Sequence, residues 1–141
     1  MKKVIPVIIF ISAVFILMFL YTASEQGRET VLEPLPEIPA PGMVTMVNLG
    51  AESCLPCRMM QPILKELRLE YENQVVFPFI DIWKYTDQGQ RFRITTIPTQ
   101  IFYDQNGVEV FRHAGFMDKK AIVEILEELL NKHPDSAKSP A

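Results

Sequence analysis

Cys54 and Cys57 are the chain's two cysteines, and they stand where one hydrophobic pattern gives way to another. The run before them, Met43 to Leu49, is short and mostly apolar, as a strand buried on both faces is. The run after them, Leu55 to Tyr71, carries Met59, Met60, Ile63, Leu64, Leu67 and Tyr71 at helical spacing, with Pro62 as an expected kink. A dithiol with two intervening residues therefore opens a helix. There the unpaired N–H groups and the helix dipole favour thiolate over thiol at the first cysteine. Cys54, at the exposed end, is placed to attack a disulfide. Cys57, one turn in, is placed to resolve the mixed disulfide that results. The plainer readings are a structural bridge and half of a metal site. Zinc ordinarily takes four ligands, and the two histidines, His113 and His133, lie far along the chain. The expectation is a redox-active pair, with no metal and no cofactor beyond the dithiol itself.

A chain of 141 residues suggests one folded domain, but its first part is unlike the rest. Met1-Lys-Lys3 precedes Val4 to Tyr21, eighteen residues without a charge. As a helix this run is about 27 Å long, close to a hydrocarbon core of roughly 30 Å. Residues 1–23 are therefore expected to be a transmembrane anchor, with Lys2 and Lys3 on the cytoplasmic side. The competing reading is a signal segment cleaved near Thr22-Ala-Ser24. In either case the domain is exported, where a disulfide persists. Residues 24–42 are polar and then proline-rich, with prolines at 34, 36, 39 and 41. They form either a semi-rigid spacer or an arm whose Val31, Leu32, Leu35 and Ile38 pack on the domain. The net charge is -3, and -5 once the +2 of Lys2 and Lys3 is set aside, so nothing points to nucleic acid as a partner.

The domain is expected over residues 43–133, with a disordered tail over 134–141. After the helix, Val75 to Asp81 reads as a second strand and Thr86 to Phe92 as a short helix. Thr99 to Tyr103 reads as a third strand, Asp104 to Gly107 as a hairpin turn, and Val108 to His113 as a fourth strand. Asp118 caps a last helix, Lys119 to Asn131, whose Ile122, Ile125, Leu126 and Leu129 share a face. His113 reads as a strand-face or surface histidine, and Trp83 and Tyr85 as packing over the sheet end or rimming a groove.

The order β-α-β-(α)-β-β-α, with the dithiol at the first helix start, resembles the thioredoxin family over about Met43 to Asn131. The motifs are Ala51-Glu-Ser-Cys-Leu-Pro-Cys57, Met60-Gln-Pro-Ile-Leu64, Ile94-Thr-Thr-Ile-Pro-Thr99, Asn106-Gly107 before a strand and Gly115 before the last helix. The resemblance implies an α/β fold: a trimmed thioredoxin with a central four-stranded mixed sheet flanked by helices, preceded here by one transmembrane helix. It implies that Pro98 is a cis proline facing the active cysteine, and that the backbone of Ile97 offers hydrogen bonds to an extended substrate. Several positions depart from the family. Ser53 and Gly50 stand where it has aromatics, Asn48 where it has a buried acid, and Phe77 where it has the lysine partner of that acid. The family's first strand and helix have no counterpart, and the insertion of the membrane-anchored cytochrome-maturation branch is absent.

By this resemblance the chain is a thiol–disulfide oxidoreductase. The retained Pro56 and the lack of a histidine between the cysteines favour a reductase. The expected site is Cys54 and Cys57 for catalysis, with Ile97 and Pro98 for substrate binding. The expected partners are disulfide-containing exported proteins, a membrane thiol donor and the inner membrane itself. The expected location is the bacterial inner membrane, single-pass, with the domain on the periplasmic or extracytoplasmic side. The alternatives are an oxidase or isomerase of exported proteins, and a non-catalytic or copper-handling binding module.

Overall fold

The computed structural model describes residues 10–19 and 33–132. Residues 10–19 are helical. Among the described residues no helix is long and apolar enough to cross a membrane. The rest of the expected anchor, the Thr22-Ala-Ser24 segment, residues 24–32 of the expected linker, His133 and the tail lie outside the described residues.

The second compact unit begins at Pro34. Its strands are β1 (Val44–Gly50), β2 (Val75–Val76), β3 (Phe79–Asp81), β4 (Thr99–Tyr103) and β5 (Glu109–Ala114), and its helices are α1 (Leu55–Glu70), α2 (Gln88–Arg91) and α3 (Lys119–Lys132). β1 is central: β2 and β3 pair with it in parallel on one side, β4 antiparallel on the other, and β5 extends the sheet from β4. The sheet is mixed and flanked by helices, as expected, but it has five strands among the described residues rather than four. The expected second strand is broken at Phe77-Pro78. Proline has no N–H to give the ladder, and there the Pro78 carbonyl instead accepts from the Asn48 N–H at 2.9 Å.

β1 separates two apolar layers. Val44 and Met46 face α1 and α3, joining Met60, Leu64, Leu67, Phe102, Ile122, Leu126 and Leu129. Val47 and Leu49 face the other way, toward Ile38, Ile80, Phe92, Ile101 and Tyr103. Ile38 is 7% exposed, and half-buried Leu35 packs on the same cluster. Over these two residues the proline-rich segment is therefore a packed arm rather than a spacer. It covers the face of β1 that carries Val47 and Leu49.

α1 needs no side-chain cap to start: Pro56, near its first position, has a fixed φ and no N–H to orphan. α3 starts as its sequence predicts, with the Asp118 carboxylate accepting from the Ala121 N–H at 2.9 Å. The hairpin turn lies where it is expected, with the Gly107 N–H donating to the Asp104 carbonyl at 3.0 Å. Gly107 takes a positive φ, +77°, and the Asp104 carboxylate organises the turn, accepting from the Asn106 and Val108 N–H groups at 2.9 and 2.8 Å. The register shift beside it, at Phe102/Tyr103, accommodates the extra residue.

Candidate active site

Cys54 is the N-cap of α1, with extended backbone (φ -79°, ψ 120°), and its side chain caps nothing. It is half-buried, while Cys57, one turn into the helix, is 0% exposed. The Cys54 N–H donates to the Ala51 carbonyl at 3.2 Å, and the Cys54 carbonyl accepts from the Arg58 N–H at 3.0 Å. The two thiols are free in this structure. Burial pushes the Cys57 thiol up to about 11, and the neighbouring Cys54 adds to the rise. The pair is thus asymmetric: an accessible sulfur at a helix N-terminus and a buried one held as a neutral thiol.

Glycine at position 50 makes room for this arrangement. A Cβ there would lie 3.0 Å from Cys57 Sγ and 3.2 Å from both Cys57 Cβ and Phe79 Cε2. The position taken by an aromatic in the resemblance therefore borders the Cys57 sulfur directly. Asn48, two residues earlier on the same face, is 0% exposed and accepts from Gln100 Nε2 at 3.1 Å.

The other two expected site residues lie at the same end of the sheet. Leu49 pairs with Thr99, so the segment entering β4 runs beside the Gly50–Ala51 exit from β1. The Ile97–Pro98 peptide is cis, and so, unanticipated, is Ile38–Pro39. Pro98 is buried, Ile97 is half-buried, and the Pro98 carbonyl accepts from the Gly115 N–H at 2.7 Å. That bond holds the 115–117 loop, and with it Phe116, beside the cis segment.

A residue the sequence reading passed over secures the loop before Cys54. The Asp81 carboxylate, at the end of β3, accepts from the Glu52 N–H at 2.9 Å and from the Trp83 and Lys84 N–H groups at 2.9 and 3.2 Å. It fastens the Ala51–Ser53 turn to the sheet and folds the following turn around itself. Trp83, in that turn, does not pack over the sheet: it is 59% exposed. Tyr85 does pack on the second layer. Leu55, Met59 and Phe116 are also exposed, while Met60 is buried and accepts from the Met117 N–H. His113 is half-buried, with Nε2 3.1 Å from the Phe116 carbonyl oxygen. Among the described residues no group of three or more His, Cys, Asp or Glu could hold a metal ion.

Known proteins repeat this frame. A family model described as thioredoxin matches residues 37–128. The chain is 38% identical over 94 residues to the thioredoxin of Chlamydia pneumoniae, covering 67% of this chain and 85% of that one. It is 30% identical over 87 residues to a thioredoxin of Staphylococcus aureus, covering 62% and 83%. Among solved structures, a malarial protein superposes with a TM-score of 0.58 at 19% identity, covering 62% of this chain and 98% of that one. The germline-specific thioredoxin Deadhead of Drosophila melanogaster gives 0.56 at 25%, covering 62% and 82%.

Proposed function

This chain belongs to the thioredoxin family of thiol–disulfide oxidoreductases, and on that premise we propose that it is an extracytoplasmic reductase of exported proteins. The observation that carries the reading is the asymmetry of the dithiol: Cys54 half-exposed at the start of α1, Cys57 buried one turn in. Thioredoxins act on disulfide-containing proteins. Cys54 attacks a substrate disulfide, forming a bond to one sulfur and releasing the other. Cys57 then attacks Cys54, the substrate leaves reduced, and a Cys54–Cys57 disulfide remains. The cis Ile97–Pro98 segment binds the substrate backbone alongside. Exposed Leu55, Met59, Trp83 and Phe116 suit apolar side chains flanking the substrate cysteine.

The location rests on the sequence. Lys2 and Lys3 precede eighteen uncharged residues, which favours a single-pass anchor in the bacterial inner membrane with the domain outside. Reducing power then comes from a membrane thiol donor. The reductive direction rests on Pro56 before the second cysteine.

The test is trapping in cells with full-length Cys57→Ala. Exported proteins joined to Cys54 through a disulfide, in a membrane fraction that survives alkaline carbonate, are the expected result. Trapped cytoplasmic proteins, or release of a shortened chain from the membrane, would contradict it.

A further inference from the structure

β4 is buried at every position, yet it carries a glutamine, Gln100, and Gln100 pairs across the sheet with Asn48 of β1. Both side chains are 0% exposed. They lie on the α1 and α3 side, because Met46 and Phe102, the next residues of the same alternation, belong to that layer. Gln100 Nε2 donates to Asn48 Oδ1 at 3.1 Å. Asn48 Nδ2, a donor, and Gln100 Oε1, an acceptor, find no partner among the described residues. Turning both amides over exchanges the atoms but again leaves one donor and one acceptor. Each unmatched buried group is destabilising. A single water that accepts from one amide and donates to the other removes both costs.

Cys57 lies next along this face. Gly50 follows Asn48 in the alternation, and a Cβ on Gly50 would touch Cys57 Sγ at 3.0 Å. Successive side chains on one strand face are about 7 Å apart, roughly the span of one bridging water plus the Asn48 side chain. We propose that Asn48 and Gln100 hold an internal water beneath Cys57 and act as positioning residues for the proton that Cys57 releases on attacking a mixed disulfide. The proposal rests on the assignment of Cys54 as attacking sulfur and Cys57 as resolving sulfur. In that step Cys57 gives its proton to the water and on to solvent hydroxide. The Cys57 thiolate bonds to Cys54, the Cys54–substrate bond breaks, and the departing sulfur keeps the electron pair and takes a proton from solvent. The amides are uncharged, so they guide the proton without serving as its base.

The surrounding groups agree with a step that has no protein base. On its own helix Cys57 has Cys54 as its ionisable neighbour, and Arg58 is exposed. β1 offers Asn48 and Gly50, β3 offers Phe79, and β4 offers Gln100. The Asp81 carboxylate is taken up by the N–H groups of Glu52, Trp83 and Lys84. Lys119 of α3 is engaged with Glu66 and Glu70 at the protein surface. His113 pairs with Gln100 from β5, and its Nε2 faces the Phe116 carbonyl.

The experiment uses the full chain in detergent, with nitrothiobenzoate joined to Cys54 as the leaving thiol. Its release by Cys57 is followed by stopped flow between pH 6 and 9. Wild-type release should rise about tenfold per pH unit without a break, following the thiolate fraction of Cys57. Gln100→Met should slow it by about tenfold or more at every pH. The same variant should remove magnetisation transfer from water to the Asn48 side-chain amide. Asn48→Asp should speed release and add a break where the new acid titrates. His113→Gln should change nothing. Unchanged rates in Gln100→Met and Asn48→Asp would overturn the proposal. So would a wild-type plateau near neutrality that His113→Gln abolishes, which would make the imidazole the base. If Cys57→Ser fails to hold nitrothiobenzoate on Cys54, the sulfur assignment itself is wrong.

Discussion

Replacing Asp81 with alanine should damage both the stability of the domain and the chemistry at Cys54. In wild type the carboxylate accepts three backbone N–H groups, from Glu52, Trp83 and Lys84, at 2.9, 2.9 and 3.2 Å. Asp81 is 6% exposed, so its oxygens are shielded from competing water. The bond to Glu52 crosses from β3 to the loop before α1, and a hydrogen bond to a charged group contributes about 1.5–3 kcal/mol. The bonds to Trp83 and Lys84 close a solvent-facing turn, and together they resemble a cap, about 0.5–2 kcal/mol. Asp81→Ala should therefore lose about 2–5 kcal/mol. Asp81→Asn keeps one acceptor oxygen and should lose roughly half as much. The nearby Lys84–Glu52 ion pair spans 2.6 Å but is well exposed, so Lys84→Ala should stay within about 0.5 kcal/mol of wild type. Urea unfolding of the reduced protein measures all three. Turnover of a protein disulfide should fall in Asp81→Ala even where the protein is fully folded, because the loop carrying Cys54 is no longer fastened. A loss below about 1 kcal/mol, with normal turnover, would refute the claim that Asp81 holds that loop.

Two other perturbations follow from the same geometry. The Cys57 thiol is raised to about 11 in the folded chain, so the native state keeps a proton that the unfolded chain loses at lower pH. Its contribution to the reduced protein is complete below the ordinary thiol range and is lost as pH climbs through about 11, with a slope of up to about 1.4 kcal/mol per pH unit. Urea midpoints of wild type should fall relative to Cys57→Ser across that window, and parallel curves would count against a buried, neutral Cys57. Gly50→Ala puts a methyl 3.0 Å from Cys57 Sγ and 3.2 Å from Phe79 Cε2. It should cost about 1–3 kcal/mol and slow closure of the Cys54–Cys57 disulfide; a neutral variant would mean that α1 shifts freely at its start.

The parts of this fold that could be read from the sequence are those whose cause is local. Apolar spacing delimits α1 and α3 to within a residue or two, and a short apolar run ahead of the dithiol delimits β1. The dithiol at a helix start and Asp118 as a cap need only neighbouring residues to be understood. What the sequence hid depends on partners far away along the chain. The break at Phe77-Pro78 has a visible cause in Pro78, but its outcome, two short strands on one edge of β1, depends on the β1 register. Nothing local decides whether Ile38 belongs to a spacer or to a packed arm, because the residues it packs with, Val47, Leu49, Ile80 and Ile101 among them, come from distant strands. Asp81 sits at a strand end like many surface acids, and its three donors come from two separate loops. Gln100 left the plainest signal, a polar residue inside an otherwise core-like strand, but Asn48 as its partner emerges from the antiparallel register alone. Trp83 and Tyr85 are alike in sequence as packing or groove-rimming aromatics, yet Tyr85 packs on the second layer and Trp83, in the turn built around Asp81, is exposed.

The central claim is that Cys54 attacks and Cys57 resolves. The most direct measurement is reduction of insulin disulfides by the purified full-length chain with dithiothreitol as donor, comparing wild type with Cys54→Ser and Cys57→Ser. The account predicts turnover above the dithiothreitol background for wild type, none above that background for Cys54→Ser, and for Cys57→Ser, pre-reduced and then freed of dithiothreitol, a single round that ends as a disulfide between insulin and Cys54. Turnover surviving in Cys54→Ser, or a covalent adduct found on Cys57 instead, would contradict it.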